Sequence, residues 1–123
     1  MPHNEILAGR IRRAVDVCVQ PNETVTERKM FGGLCFLLDG KMAAGVETDR
    51  LMIRMEPDEV SRALDAGTVQ PMDFSGKPMR NFAFVMTNNL TDTQLERWVS
   101  LSLNYARRQP PPKPKKPRIP KGR

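Results

Sequence analysis

Histidine is almost missing from this chain: His3, two residues from the start, is the one copy. A histidine-based triad or a multi-histidine metal site has no second imidazole to draw on, so His3 reads as an idle, solvent-exposed side chain. Cysteine is nearly as scarce. Cys18 and Cys35 have neither CxxC pairing nor metal-ligand spacing, and both sit among apolar residues, as buried free thiols of a reducing cytoplasm do. No run approaches the roughly 18 apolar residues that cross a bilayer. Glu5 and Asp16 fall where an export signal would carry its apolar core. Membrane insertion and export are not expected, and a cytoplasmic location is.

Phosphate-cradling motifs are missing as well. Gly32-Gly33 and Gly76 fit neither a P-loop nor a dinucleotide fingerprint, and no helical pattern begins after Gly33. They read, with Gly40, as structural glycines that permit turns, bulges or close backbone approach. Ser61, Ser75, Ser100 and Ser102 have no partner base in sequence, and Tyr105 reads as a packing residue on the last helix. One enzymatic arrangement is left, a cleft in which Asp73 and Glu47 meet beside an arginine. No catalytic residue, metal or cofactor is assigned from the sequence.

What the chain does have is an uneven charge. The formal net charge is +6 over 123 residues, but eight of the 20 bases lie between Arg107 and Arg123, where there is no acid. Residues 1–106 therefore hold twelve bases against 14 acids and are slightly acidic. The basicity belongs to a tail.

The hydrophobic pattern places the elements. Asn4 can cap a helix to about Val19, with Leu7, Ile11, Ala14, Val15 and Cys18 on one face. Strands are expected at 25–31, at 34–38 as a fully apolar central strand, at 41–47, and at 50–55. Asp39-Gly40 has the composition of a type I′ hairpin turn. Pro57-Asp58-Glu59 opens a second helix that Gly67 closes. Two further strands, 68–74 and 80–86, flank Ser75-Gly76-Lys77-Pro78, and Pro71 puts the first of them at a sheet edge. Thr91-Asp92-Thr93-Gln94 is a capping box for a third helix that Gln109-Pro110-Pro111-Pro112 stops. The order is α, three or four strands, α, two strands, α. That is an α+β domain, a two-layer sandwich of helices on an antiparallel sheet. Residues 1–107 form the domain, and 108–123 are expected to be a disordered Pro/Lys-rich tail.

Several spaced motifs resemble the N-terminal domain of the TfoX/Sxy family. They are Arg28-Lys29-Met30-Phe31-Gly32-Gly33, Gly40-Lys41-Met42, Arg50-Leu51 with Arg54, and Pro71-Met72, Phe74, Gly76 and Pro78-Met79. The resemblance covers about Asn4 to Arg107. It implies a compact α/β sandwich similar to secretion-chaperone-like folds and no established enzymatic activity. Longer members carry a second, helical domain and act as co-activators of competence genes beside the cyclic-AMP receptor protein. Here the Pro/Lys tail stands in that place, so a standalone N-terminal domain is expected.

Seven methionines lie on or beside the expected strands, and strand alternation turns some of them away from the helices. Met52 and Arg54 point away from the face of Leu51, Ile53 and Met55, onto a face expected to be partly wet. Met52, Arg54, Arg50 and Arg28 are therefore the candidate interface for an unidentified protein partner or a second copy of the chain. The alternative is non-specific nucleic-acid binding through Arg107, Arg108, Lys113, Lys115, Lys116, Arg118, Lys121 and Arg123. No aromatic residue interleaves these cations, so phosphate attraction without sequence readout is what they offer.

Overall fold

The computed structural model describes residues 4–30, 32–74 and 76–110. The tail beyond Pro110 and His3 lie outside the described residues.

Three helices and six strands follow in the order α1 (Glu5–Cys18), β1 (Val25–Met30), β2 (Gly33–Leu38), β3 (Lys41–Glu47), β4 (Arg50–Arg54), α2 (Pro57–Ala66), β5 (Gln70–Phe74), β6 (Lys77–Met86) and α3 (Asp92–Arg108). The strands form one antiparallel sheet ordered β1-β2-β3-β4-β6-β5. The α+β architecture expected from the sequence is the one found, with four strands in the first group.

Local chemistry explains most boundaries. The Asn4 side chain accepts hydrogen bonds from the Ile6 and Leu7 amides and so caps α1. Asp39 and Gly40 have φ of 49° and 84°, the two positive values that a type I′ turn requires. Gly67 lies in the left-handed region, and the Thr68 amide reaches back to the Ala63 carbonyl. Together with Gly67 N–H to Leu64 O this is a Schellman closure. It takes up Thr68, which is why β5 begins at Gln70 and not at Thr68. The capping box of α3 forms in both directions between Thr91 and Gln94.

Two features depart from the sequence expectation. β6 begins at Lys77, so Pro78 belongs to a strand and not to a turn. The β4 partners of β6 are residues 82–86, so Pro78 pairs with β5 on one side while lying beyond the β4 register on the other, where a missing N–H is tolerated. α3 also runs one residue past the expected domain boundary, through Arg108.

Helices cover one face of the sheet. The register row Glu27–Phe36–Ala44–Ile53–Ala83–Pro71 runs across all six strands on that face. Phe36, Ala44, Ile53 and Ala83 meet Leu7 and Ile11 of α1, Val60 of α2, and Leu95, Val99 and Leu103 of α3 in the main core. Burying each Phe, Ile, Leu or Val of this core contributes roughly 1.5–3 kcal/mol, and each alanine less.

Candidate interaction surface

The next register row, Arg28–Cys35–Gly45–Met52–Phe84–Gln70, points to the opposite face. There a second apolar cluster forms from Cys35, Leu37, Met42, Met52, Met72, Phe82 and Phe84, with Met30 and Met79 packed against it. No helical residue belongs to this cluster among the described residues. β2 is buried from end to end because it serves both clusters, which accounts for its unbroken apolar sequence.

Met52 corrects the sequence expectation. It is fully buried and forms the floor of this face instead of a wet contact. Gly45 makes room for it: a Cβ at position 45 would stand 2.8 Å from the Met52 methyl carbon and 2.7 Å from the Leu34 carbonyl oxygen. The more accessible methionines of the face are Met30, Met79 and Met86, the last of them 44% exposed opposite Arg50. The alternation of Arg80, Phe82, Phe84 and Met86 along β6 is the sequence signal that would have pointed to Met86.

The arginines roof this floor. Arg50 lies 3.7 Å over the centre of the Phe84 ring and is paired at 2.6 Å with Glu47. Arg54 stands 5.8 Å from Phe82 and 5.2 Å from Tyr105, and its Nη1 donates to the Met42 carbonyl at 3.0 Å. Planar guanidiniums stack on aromatic faces in this way while keeping an edge wet. Arg54 Nε is buried without an acceptor among the described residues. Its backbone amide donates to the buried Ser102 hydroxyl. Arg28 is exposed on β1.

Gly32, Gly40 and Gly76 adopt positive φ at hairpin ends, and Gly33 allows a close approach in which a Cβ would stand 2.1 Å from the Val46 carbonyl oxygen. The enzymatic arrangement is not assembled. Glu47 sits opposite Arg50, itself opposite Met86, whereas Asp73 is in register with Pro78. Those positions are eight residues apart on β6, about 27 Å. Burial pushes the Cys35 thiol up to about 11, against the opposing effect of its contact with the Met30 carbonyl. Cys18 is also raised, mainly by burial. Among the described residues no three His, Cys, Asp or Glu side chains gather as a metal site, and no helix is long and apolar enough to cross a membrane.

Of the eight candidate nucleic-acid cations, two are described, and both belong to α3. Arg107 is not a free tail charge: it holds Glu23 at 2.7 Å and donates to the Cys18 carbonyl and Asn104. This locks the C-terminus of α1 to α3 and holds the Glu23 carboxyl below its ordinary range. Arg108 lies 3.7 Å from Glu56 on an exposed surface. Lys113, Lys115, Lys116, Arg118, Lys121 and Arg123 lie outside the described residues.

The model of the TfoX N-terminal domain family matches residues 18–106, most of the chain and the whole of the sheet. The chain belongs to the TfoX N-terminal domain family. No curated protein matches it. The matched segment takes in both sheet faces and the β-hairpins that carry the quoted glycines, and leaves most of α1 outside.

Proposed function

We propose that this TfoX N-terminal domain is a non-enzymatic binding module that docks on a protein partner, or on a second copy of itself, through the arginine-bearing face of its sheet. The observation that carries this reading is the second apolar cluster, roofed by Arg50 and Arg54 and edged by Met30, Met79 and Met86. Methionine suits such a rim because its flexible thioether repacks against different partners. Arginine over aromatic rings adds a cationic edge with little conformational freedom left to lose. A regulatory, transcription-linked role in the cytoplasm fits the family and the two free thiols. Cys35 is buried and held in its thiol form, and Glu47 is paired with Arg50, which supports a binding function over a chemical one.

The test is association of the full chain, by sedimentation and by capture of protein partners, for the wild type and for Arg28→Glu and Met86→Asp. Both positions are exposed, so the fold should survive while association weakens. A monomeric chain whose captured proteins are unchanged by either substitution would overturn the reading.

A further inference from the structure

A notch of about 270 Å³ opens beside the C-terminal end of α3, lined by Gly40, Lys41, Met42, Arg54, Gln109 and Pro110. It carries two cations and no acid. The Lys41 ammonium is fixed by the Gln109 carbonyl at 3.2 Å, and Arg54 is fixed by the Met42 carbonyl. Among the described residues neither forms an ion pair with a carboxylate. A third cation stands near, because Arg108 and Arg54 both lie within 6 Å of the Tyr105 ring, at 5.9 and 5.2 Å. The neighbouring acids have other partners: Glu56 faces Arg108 at 3.7 Å, the Asp39 carboxylate accepts from the Thr24 amide, and Glu23, near enough to feel the Lys41 charge, is held by Arg107.

We propose that this notch binds a phosphoryl oxyanion, held between the Lys41 ammonium and the Arg54 guanidinium. Two fixed cations converging on one cavity offer more charge than a single carboxylate neutralises, and a guanidinium fork with an ammonium point charge is a common phosphate-binding pair. The sequence after Pro110 adds Lys113, Lys115, Lys116, Arg118, Lys121 and Arg123 without an acid. This goes beyond the docking reading and uses Lys41, which is no part of the docking cluster, so the two fail separately.

The experiment uses the full chain and three probes: inorganic phosphate at constant ionic strength, a short labelled DNA duplex, and an oligoglutamate peptide. Phosphate is expected to shift the amide resonances of Gly40 and Lys41 and the Arg54 side-chain N–H. Lys41→Gln is expected to weaken duplex binding by about tenfold, the loss of one charge-assisted hydrogen bond. It should also reduce the salt slope by about 0.9. Arg54→Gln should act alike, with its thermal melt checked because it also loses the Met42 contact; if it unfolds, Lys41→Gln decides. Phosphate shifts without a Lys41 effect on the duplex identify a small phosphate ligand, and the converse identifies nucleic acid. Two results overturn the proposal: no response of the notch to phosphate together with wild-type duplex binding by Lys41→Gln, or an oligoglutamate response as strong as that to phosphate.

Discussion

Met52 lies across Gly45, its methyl carbon 2.8 Å from where a Cβ would be, so the smallest residue on β3 determines how the second apolar layer closes. The same missing side chain keeps the β2 and β3 backbones close, with the Leu34 oxygen at 2.7 Å and the Cys35 Cα at 3.2 Å from that point. Gly45→Ala should destabilise the domain by about 1–3 kcal/mol, the usual range for overpacking. Gly45→Ala combined with Met52→Ala should recover only part of this, because the Leu34 oxygen is backbone. Chemical denaturation of the three variants checks the coupling.

Gly33 should be the less forgiving glycine. A Cβ there meets the Val46 carbonyl oxygen at 2.1 Å, and backbone cannot rotate out of the way as a methionine can. Gly33→Ala should cost more than about 3 kcal/mol, beyond ordinary overpacking. Gly33→Val should fail to fold. Circular dichroism and the soluble yield of the two variants measure this, and a folded, stable Gly33→Val would contradict the strand geometry.

The Glu23–Arg107 pair gives a pH signature. Its first cause is the hydrogen bond from Arg107, which lowers the Glu23 pKa below the ordinary 4.5. A carboxylate with a depressed folded-state pKa binds its proton less readily when folded. Its stabilisation is therefore complete above about pH 4.5 and is lost as pH falls through the folded value. At neutral pH, Arg107→Ala should cost about 2 kcal/mol, as for a hydrogen bond to a charged partner. The difference from the wild type should shrink in acid. Urea melts from pH 3 to pH 7 would show the two curves converging.

The two thiols should differ in reactivity. Cys18 is partly exposed, whereas Cys35 is fully buried and raised to about 11. Since the thiolate is the reactive form, a thiol reagent at pH 8 should modify Cys18 first, and Cys35 only on unfolding. Mass spectrometry of timed, proteolysed samples distinguishes them. Early labelling of Cys35 would mean that the second apolar layer opens readily.

Much of the fold was legible along the chain because its signals are local. A capping box, an Asp-Gly turn, a proline at a helix start and a glycine at its end each act within a few residues, and each is found in place. Pro71 likewise marked β5 as an edge strand. Pro78 misled, because whether a proline suits a strand depends on what lies beside it, and β4 pairs only with the far half of β6. The candidate surface was half legible. Alternation put Met52 and Arg54 on one face, but the sequence around Met52 gives no sign of Gly45 beneath it or of Arg50 and Arg54 closing over the layer.

The sequence by itself determined the helices, the hairpins, the apolar faces and the concentration of positive charge after Arg107, since periodicity and turn stereochemistry are properties of neighbouring residues. Tertiary structure alone decided which methionines are floor and which are rim. It also decided that Arg107 is a structural clamp on Glu23, and that Lys41 and Arg54 share one notch. Burial and ion pairing depend on distances between segments far apart in the chain, here 84 residues for Arg107 and Glu23, and no local pattern encodes them.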